Sequence, residues 1–330
     1  MAKRIAIAGV TGAVGVEFLN VLEARNFPVA SIKGLASERS VGKEFTFRGE
    51  KHKVEKLGHD SFKNVDIALF SAGGSRSKEF AASAVKAGAV VVDNSSAFRM
   101  DPKVPLVVPE VNPQAIKQHQ GIIANPNCST IIMNVAVFPL YKALGVERIF
   151  VATYQAASGA GMTAMRELED ETRAVLDKKP FTRTVIPYPY AFNLFPHNSP
   201  LLPDGYCEEE VKMLKETRKI FGDQSIRVNA FCVRVPVLRA HSEAVNIQFK
   251  RDVSPEQAYE ILRKAPGVQV FEDRAANKWA TPLDASGKDP VLVGRIRRDQ
   301  SQPNTLDMWL VGDQILKGAA LNAVQIAELL

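Results

Sequence analysis

Residues 125–130, with the sequence NPNCST, place one cysteine where a strand-like segment gives way to a helix pattern. Residues 121–124 are apolar enough for a buried strand, and residues 131–136 begin an apolar helix. The N-terminus of a helix favours an anion, so a thiol there populates the thiolate, which is the nucleophilic form. Cys128 is therefore predicted to be a covalent catalyst. A buried structural cysteine is the alternative that these residues leave open.

Residues 234–243, RVPVLRAHSE, supply a histidine and two arginines where two predicted strands meet. An imidazole near a thiol can hold its proton and later return it to an oxygen, and a guanidinium binds a carboxylate through two parallel hydrogen bonds. His241 and Arg234 are thus candidate site residues, with a structural histidine as the alternative. The remaining histidines have no such neighbours and are interpreted as surface or core residues: His52, His59, His119 and His197.

Three further segments carry polar groups at the ends of predicted elements. Gln155 ends a strand before the small-residue turn 156–161, and its amide offers a donor and an acceptor to a substrate. Arg99 follows a strand end, where ligands bind in open α/β sheets. Residues 208–210 are glutamates that begin a helix containing Lys212, where acids complement the helix dipole. A plain turn, a surface arginine and a solvated helix face are the respective alternatives.

Residues 9–15, GVTGAVG, follow a strand and open a helix, which is the context of a dinucleotide-binding loop. The glycine spacing is a variant of the usual fingerprint, so a structural turn remains possible. An acid about 20 residues on would indicate NAD. The corresponding region here contains Arg39 and Ser40, which suit the 2'-phosphate of NADP, whereas Glu38 would repel it.

The elements around these residues predict an α/β protein of two domains. Apolar strands near residues 4–8, 31–35, 65–70 and 89–93 alternate with helices at 16–22 and 78–86, as in a Rossmann-type doubly wound parallel sheet. Longer strands at 148–155, 227–235, 244–250 and 305–311, with helices at 163–178, 208–221 and 255–264, predict a second α+β domain with a mixed or antiparallel sheet.

The domain boundaries follow from this change of pattern. Residues 1–127 are predicted to form the nucleotide-binding domain, completed by an amphipathic C-terminal helix within 314–330, and residues 128–313 the catalytic and dimerisation domain. Residues 180–203 are too rich in proline for regular elements and are predicted to form a long loop or a partner-facing arm.

Composition excludes several other classes of protein. The net charge of +6 comes from basic residues scattered among acids, which argues against nucleic-acid binding. No apolar stretch is long enough for a membrane span, and the N-terminus lacks the pattern of a signal peptide, so a cytoplasmic protein is expected. The 3 cysteines are widely spaced, which predicts neither a disulfide framework nor a metal site.

The order and spacing of these motifs, together with DQILKGAA at 313–320, resemble aspartate-β-semialdehyde dehydrogenases over essentially the whole chain. The resemblance implies that Cys128 forms the acyl-enzyme, that His241 is its acid–base partner and that Gln155 orients the reacting centre. It also implies that Arg234 and Glu209 bind the carboxylate and amino group of the substrate, and that phosphate is bound by Arg99, Asn127 and Lys212. Contacts with NADP are implied for Thr11, Gly12, Ala13, Val14, Arg39, Ser40, Ser158, Gly159 and Gln314.

The implied activity is the NADPH-dependent reductive dephosphorylation of 4-phospho-L-aspartate to L-aspartate 4-semialdehyde through a thioester on Cys128. This reaction serves the biosynthesis of lysine through diaminopimelate, and of methionine, threonine and isoleucine. The resemblance also implies a homodimer and inorganic phosphate as a reactant. Glu209 is preferred to Glu208 and Glu210 because it shares a helix face with Lys212.

Two alternatives come from different classes of function. N-acetyl-γ-glutamyl-phosphate reductases share the acyl-phosphate chemistry but resemble Gly-Cys-Tyr-Pro-Thr around their cysteine, unlike residues 127–130 here. A non-catalytic nucleotide-binding relative would have lost the nucleophile, whereas Cys128 and the polar residues implied to act with it are all present.

Overall fold

The computed structural model describes residues 1–330, and their contacts divide the chain into two compact units. The first comprises Met1–Asn127 and Ala319–Leu330, and the second Cys128–Gly318. The first junction lies where the change in sequence pattern places it. The return to the first unit lies after Gly318, a little later than the boundary expected at Asp313.

The first unit is built on a parallel sheet of six strands in the order β5-β2-β1-β6-β7-β8. Its elements are β1 (Lys3–Ala8), α1 (Ala13–Ala24), β2 (Val29–Ala36), β3 (Glu44–Phe47), β4 (Glu50–Lys53), β5 (Glu55–Lys56), β6 (Ile67–Phe70), α2 (Gly74–Lys86), β7 (Val90–Asp93) and β8 (Ile122–Ala124). Every pairing in the six-stranded sheet is parallel, and β3 and β4 form a separate hairpin. The predicted Rossmann-type fold is confirmed.

The central strands of this sheet carry continuous apolar runs because helices cover both faces of a doubly wound sheet. Residues 67–70 of β6 are all buried, as are residues 5–8 of β1. The carboxyl ends of parallel strands meet at one edge, so the glycine loop after β1 and the polar residues after β7 and β8 belong to the same edge of the sheet.

The second unit contains a mixed sheet of seven strands in the order β10-β11-β9-β12-β17-β16-β13. Its elements are α3 (Cys128–Leu144), β9 (Val146–Gln155), α4 (Met162–Leu176), β10 (Phe195–Pro196), α5 (Glu208–Phe221), β11 (Arg227–Arg234), β12 (His241–Phe249), α6 (Pro255–Leu262), β13 (Val268–Val270), β14 (Glu272–Asp273), β15 (Lys278–Trp279), α7 (Pro282–Ala285), β16 (Val291–Arg298) and β17 (Thr305–Gly312). Strands β9 and β11 run parallel, whereas β12 is antiparallel to β9 and β17. The predicted mixed α+β domain is confirmed.

The strands of this sheet alternate buried and half-buried residues, so the sheet has two unlike faces. On one face of β12, the residues His241, Glu243, Val245 and Ile247 are buried. On the other face, Ala244, Asn246 and Gln248 are half-buried. Strand β12 begins at His241, earlier than the predicted start at Ala244, so the candidate histidine lies on a rigid element instead of a connection.

Residues 180–203 form an ordered segment anchored on α4 by two buried glutamates. Glu167 accepts hydrogen bonds from the backbone N–H groups of Thr184, Val185 and Ile186 at 2.5–2.9 Å. Glu171 accepts the N–H of Tyr190 at 2.9 Å. The predicted long loop therefore contains a short strand, β10, which pairs with β11 at the sheet edge.

The C-terminal residues fold onto the first unit through α8 (Leu321–Glu328), which contacts α1 and β7. The prediction of an amphipathic helix from residue 315 is wrong in two respects: Leu316–Ala320 is a π-helical turn, and most residues of α8 are buried. The polar side chain of Asn322 can be buried within α8 because it donates a hydrogen bond to the Val107 carbonyl at 3.0 Å. No helix in the structure has the length and apolar character that crossing a membrane requires.

Candidate active site

Cys128 is the first residue of α3, where the sequence pattern predicts it. The residue is partly exposed, whereas the other two cysteines, Cys207 and Cys232, are buried. Its neighbourhood is tight on one side, since a Cβ on Gly318 would lie only 2.9 Å from the Cys128 Cβ. The backbone at Gly318 can therefore pass against the nucleophile only because it carries no side chain.

His241 lies beside the thiol, with its Nε2 atom 3.5 Å from the Cys128 Sγ atom. The backbone N–H of Ala156 donates to His241 Nδ1 at 3.0 Å. Since Nδ1 accepts, the proton of the neutral ring resides on Nε2 and is directed toward the sulfur. The ring is 1% exposed, and burial together with the charge of Arg234 lowers the pKa of His241 to about 3. The resting imidazole is thus a neutral hydrogen-bond donor.

Gln155 and Arg234 occupy matching positions at the ends of two parallel strands. They are register partners in the β9–β11 ladder, so both side chains reach the same edge of the sheet. The Gln155 amide nitrogen donates to Ser129 Oγ at 2.7 Å and lies 3.3 Å from Glu209 Oε1. These bonds connect the first turn of α3 with the first turn of α5.

Arg234 is buried, and its guanidinium is only partly paired within the chain. Its Nη1 atom donates a hydrogen bond to the Ala156 carbonyl at 3.1 Å, and its Nη2 atom lies 2.9 Å from His197 Nε2. Its Nε atom is buried without a partner. A Cβ on Gly159 would lie 3.2 Å from both Arg234 Nη1 and His241 Cε1, which shows how closely this turn approaches the two side chains.

The three glutamates at the start of α5 have different environments. Glu208 is exposed. Glu210 accepts from the N–H of Cys207 at 2.9 Å and from that of Cys232 at 3.1 Å, so it caps the helix. Glu209 is buried, faces Gln155 and accepts from Lys212 Nζ at 3.2 Å. Of the three, only Glu209 belongs to the cluster around Gln155.

Ser158 and Gln314, both expected to contact the cofactor, are hydrogen-bonded to one another. Gln314 also accepts the N–H of Ala240 at 2.8 Å. The backbone N–H of Ser158 donates to the Leu238 carbonyl at 3.1 Å. The turn that carries Ser158 and Gly159 is thereby fixed to the residues just before His241.

Two residues of this unit carry features that the sequence interpretation missed. His197 is linked to Arg234, but its position depends on β10, which no local pattern predicts. Glu243 lies on the same face of β12 as His241, is fully buried, and has no partner for either carboxyl oxygen. Burial raises the pKa of Glu243 well above its usual range, so the carboxyl group is held neutral.

In the first unit, the glycine loop has the shape of a phosphate cradle. Gly9 has φ +94°, and a Cβ there would lie 2.4 Å from the Ser71 carbonyl oxygen. A Cβ on Gly15 would lie 2.1 Å from the Gly9 carbonyl oxygen. Gly12 is the N-cap of α1, and no side chain caps this helix end. The N-terminus of α1, with Thr11, Ala13 and Val14 around it, is therefore accessible to an anion.

The segment after β2 places Arg39 and Ser40 in a short helical turn. Arg39 is exposed, whereas Ser40 is buried. Glu38, the acid that would repel a 2'-phosphate, forms an ion pair with Lys56 at 2.9 Å. The Glu38 carboxylate is thus paired with a cation, and the exposed guanidinium of Arg39 suits a phosphate group.

Arg99 is buried at the carboxyl ends of β7 and β8. Its Nε donates to the Asn125 carbonyl and its Nη2 to the Asn94 carbonyl, both at 2.9 Å. Asn127, the last residue before α3, is also buried. A guanidinium oriented by carbonyls at the strand ends is suited to an anionic ligand. The structure contains no cluster of histidine, cysteine and acidic side chains that could hold a metal ion.

Two family models and several known proteins match this chain. A family model described as "Semialdehyde dehydrogenase, NAD binding domain" matches residues 4–119, and one described as "Semialdehyde dehydrogenase, dimerisation domain" matches residues 137–317. The chain is 59% identical to an aspartate-semialdehyde dehydrogenase of Synechocystis, over 99% of this chain and 97% of that protein. It is 53% identical to the enzyme of that name from Aquifex aeolicus, over 100% and 98% of the two chains.

Solved structures give the same relationship. The crystal structure of aspartate semialdehyde dehydrogenase II from Vibrio cholerae, complexed with ASA, has a TM-score of 0.97 and 47% identity and covers 100% of this chain and 98% of its own. The enzyme of Candida albicans with NADP has a TM-score of 0.77 at 24% identity, covering 100% and 98%, which is a likeness of fold.

Proposed function

The chain belongs to the aspartate-semialdehyde dehydrogenase family, and we propose that it reduces 4-phospho-L-aspartate to L-aspartate 4-semialdehyde with NADPH, releasing phosphate. The observation that carries the proposal is the donor geometry at the nucleophile: His241 Nε2 lies 3.5 Å from Cys128 Sγ, and the Ala156 N–H directs the ring proton toward it. The product would enter the biosynthesis of lysine through diaminopimelate, and of methionine, threonine and isoleucine.

Cys128 performs the covalent chemistry in this proposal. Its thiolate attacks the carbonyl carbon of the acyl phosphate, the C–O bond to phosphate breaks, and a thioester remains on the sulfur. After reduction, the tetrahedral adduct expels the thiolate and releases the aldehyde. His241 donates from Nε2 to the oxygen on which negative charge develops, and the buried ring is already oriented for this by the bond at Nδ1.

The substrate's charged groups would be bound by groups of opposite charge. Arg234 has a buried Nε without a partner and an Nη2 beside it, which suits an α-carboxylate bound through two parallel bonds. Glu209 would bind the amino group, and its proximity to Gln155 brings that group near the reacting centre. Arg99, Asn127 and Lys212 are assigned to phosphate on family resemblance, and inorganic phosphate is the reactant in the reverse direction.

NADP fits the residues of the first unit. The glycine loop leaves the N-terminus of α1 accessible to a pyrophosphate, and Arg39 with Ser40 suits the 2'-phosphate. When bound, this cofactor supplies the hydride that reduces the acyl group. Ser158, Gly159 and Gln314 of the second unit are assigned to the same cofactor on family resemblance.

The function is tested with the purified full-length chain, L-aspartate semialdehyde, phosphate and either NADP or NAD. We expect phosphate-dependent cofactor reduction, with a specificity constant for NADP about tenfold or more above that for NAD, since one charged contact is worth roughly that factor. N-acetylglutamate semialdehyde serves as the matched alternative substrate. Turnover of that compound alone would contradict the proposal.

We further propose that the enzyme is a cytoplasmic homodimer. A cavity of about 780 Å³ opens on the half-buried face of the second unit's sheet, beside the aromatic side chains of Phe150, Tyr154 and Trp309. This unit matches a dimerisation domain, and a second copy packed on this face would cover those rings. Three free cysteines suit a reducing compartment. Sedimentation equilibrium should give twice the chain mass of 36.1 kDa, and a monomer at micromolar concentration would contradict the dimer.

A further inference from the structure

His197 lies between Arg234 and the start of α5, in a position that the chemistry described above does not use. Its Nε2 atom is 2.9 Å from Arg234 Nη2, and its Nδ1 atom is 3.1 Å from Ser199 Oγ. Its backbone N–H donates to the Cys232 carbonyl at 2.8 Å, which fixes the residue to the neighbouring strand. The ring is therefore held from the main chain as well as from both nitrogens.

The partners determine where the ring proton resides. A guanidinium has only donors, so His197 Nε2 must accept from Arg234. The proton of the neutral ring is then on Nδ1, which donates it to Ser199 Oγ. In this tautomer Nδ1 cannot also accept a hydrogen bond from the Ser199 N–H, which lies 3.2 Å away. Burial and the adjacent charge of Arg234 lower the pKa of His197 to about 4, so the neutral form is maintained at physiological pH.

Ser199 links His197 to Glu209, the residue proposed to bind the substrate's amino group. Its Oγ atom accepts the backbone N–H of Glu209 at 3.2 Å. Glu209 in turn faces Gln155, at 3.3 Å. A chain of hydrogen bonds thus leads from Arg234 through His197 and Ser199 to the first turn of α5.

Without the imidazole, Arg234 would lose much of its orientation. Its other bond within the chain is from Nη1 to the Ala156 carbonyl, and its Nε has no partner. A guanidinium held at one nitrogen can rotate about that contact, whereas bidentate recognition of a carboxylate requires a fixed plane. His197 supplies the second fixed point.

We propose that His197 is a positioning residue, which holds the Arg234 guanidinium in the plane that binds the substrate's α-carboxylate and couples it to Glu209 through Ser199. The proposal rests on the proposed function, since it concerns the same substrate. It also gives the segment 180–203 a role. This segment is anchored on α4 and places His197 beside Arg234.

The test compares His197→Ala and His197→Gln with the matched control Asn198→Ala, which changes an exposed residue next to the histidine. We expect the kcat/KM of His197→Ala for L-aspartate semialdehyde to fall about 10- to 100-fold, mainly through KM, because a hydrogen bond to a charged group is lost. The KM for NADP should stay within about twofold by the same reasoning, which also shows that the variant is folded. The Gln variant, whose amide oxygen can accept from Arg234, should recover most of the loss.

A double-mutant cycle separates positioning from a general structural role. In an Arg234→Leu background, the His197→Ala change should have little further effect, because the residue it acts through is absent. Additive losses in the cycle, or equal increases in KM for the semialdehyde and NADP, would overturn the proposal. A wild-type chain that fails to turn over L-aspartate semialdehyde would instead refute the proposed function, and is recognised before any variant is made.

Discussion

Replacing Cys128 by serine should reduce phosphate-dependent NADP reduction on the order of 10⁴-fold or more, because a serine hydroxyl at this position is a far weaker nucleophile than a thiolate. The geometry around the residue would otherwise be conserved, since Oγ replaces Sγ at the start of α3. NADP binding should be nearly unchanged, because the glycine loop and Arg39 lie elsewhere in the chain. Rates are measured by cofactor absorbance, and NADP affinity by fluorescence titration.

Cys207→Ser is the matched control for this change. Cys207 is buried at the N-cap of α5, a position where serine is preferred, so the control should retain activity close to that of the wild type. Cys232 is also buried, and burial raises the pKa of its thiol, which makes it a poor nucleophile. Activity that survives the Cys128 change would therefore show that the reaction needs no covalent intermediate on a thiol of this chain.

The position of Cys128 could be predicted because every signal for it is local. The helix begins at the residue where the apolar pattern and the preceding proline place it, and the strand before it ends at Ala124. The strands that carry Gln155 and Arg234 were recognisable for the same reason, as runs of apolar and β-branched residues. Their register, which brings the two side chains together, is a tertiary property and had to come from the structure.

His197 shows what local patterns cannot contain. It follows Pro196 in a proline-rich segment, and the strand that ends just before it, β10, is two residues long. The segment is ordered by Glu167 and Glu171 from a helix earlier in the chain, through bonds to main-chain N–H groups that leave no mark on the sequence. A loop interpretation is the natural result of reading proline content without these distant partners.

The C-terminal segment illustrates a different limit. Its apolar spacing indicates a helix with one buried face, but the structure buries most of it and interrupts it with a π-helical turn. Gly318 lies within this turn, and its contact with Cys128 explains why the backbone there is constrained. Irregular helical turns of this kind are frequent at functional sites, and here the interruption of the helix lies beside the nucleophile Cys128.

His241→Gln should lower kcat about 10²- to 10³-fold, the range of a lost hydrogen-bond donor to a developing oxyanion, with little change in the KM for NADP. Glutamine preserves polarity, but its flexible side chain is not fixed by a ring nitrogen that accepts the Ala156 N–H, so no donor is held toward the sulfur and the substrate oxygen. His59→Gln, which changes an exposed histidine of the first unit, is the control and should leave kcat unaltered. If His241→Gln kept more than about a tenth of wild-type kcat, the ring would be no more than a spacer beside Cys128.

The same variant should also change how stability depends on pH. In the unfolded chain a histidine binds a proton near pH 6.5, whereas burial lowers the pKa of the folded His241 to about 3. Unfolding therefore takes up a proton between these values, and this histidine makes the folded state less stable as the pH falls below about 6.5, by about 1.4 kcal/mol per pH unit. His241→Gln removes that contribution. The urea midpoint of the variant should then fall less steeply than that of the wild type between pH 6 and 4, and parallel curves would show that the buried ring is protonated in the folded protein.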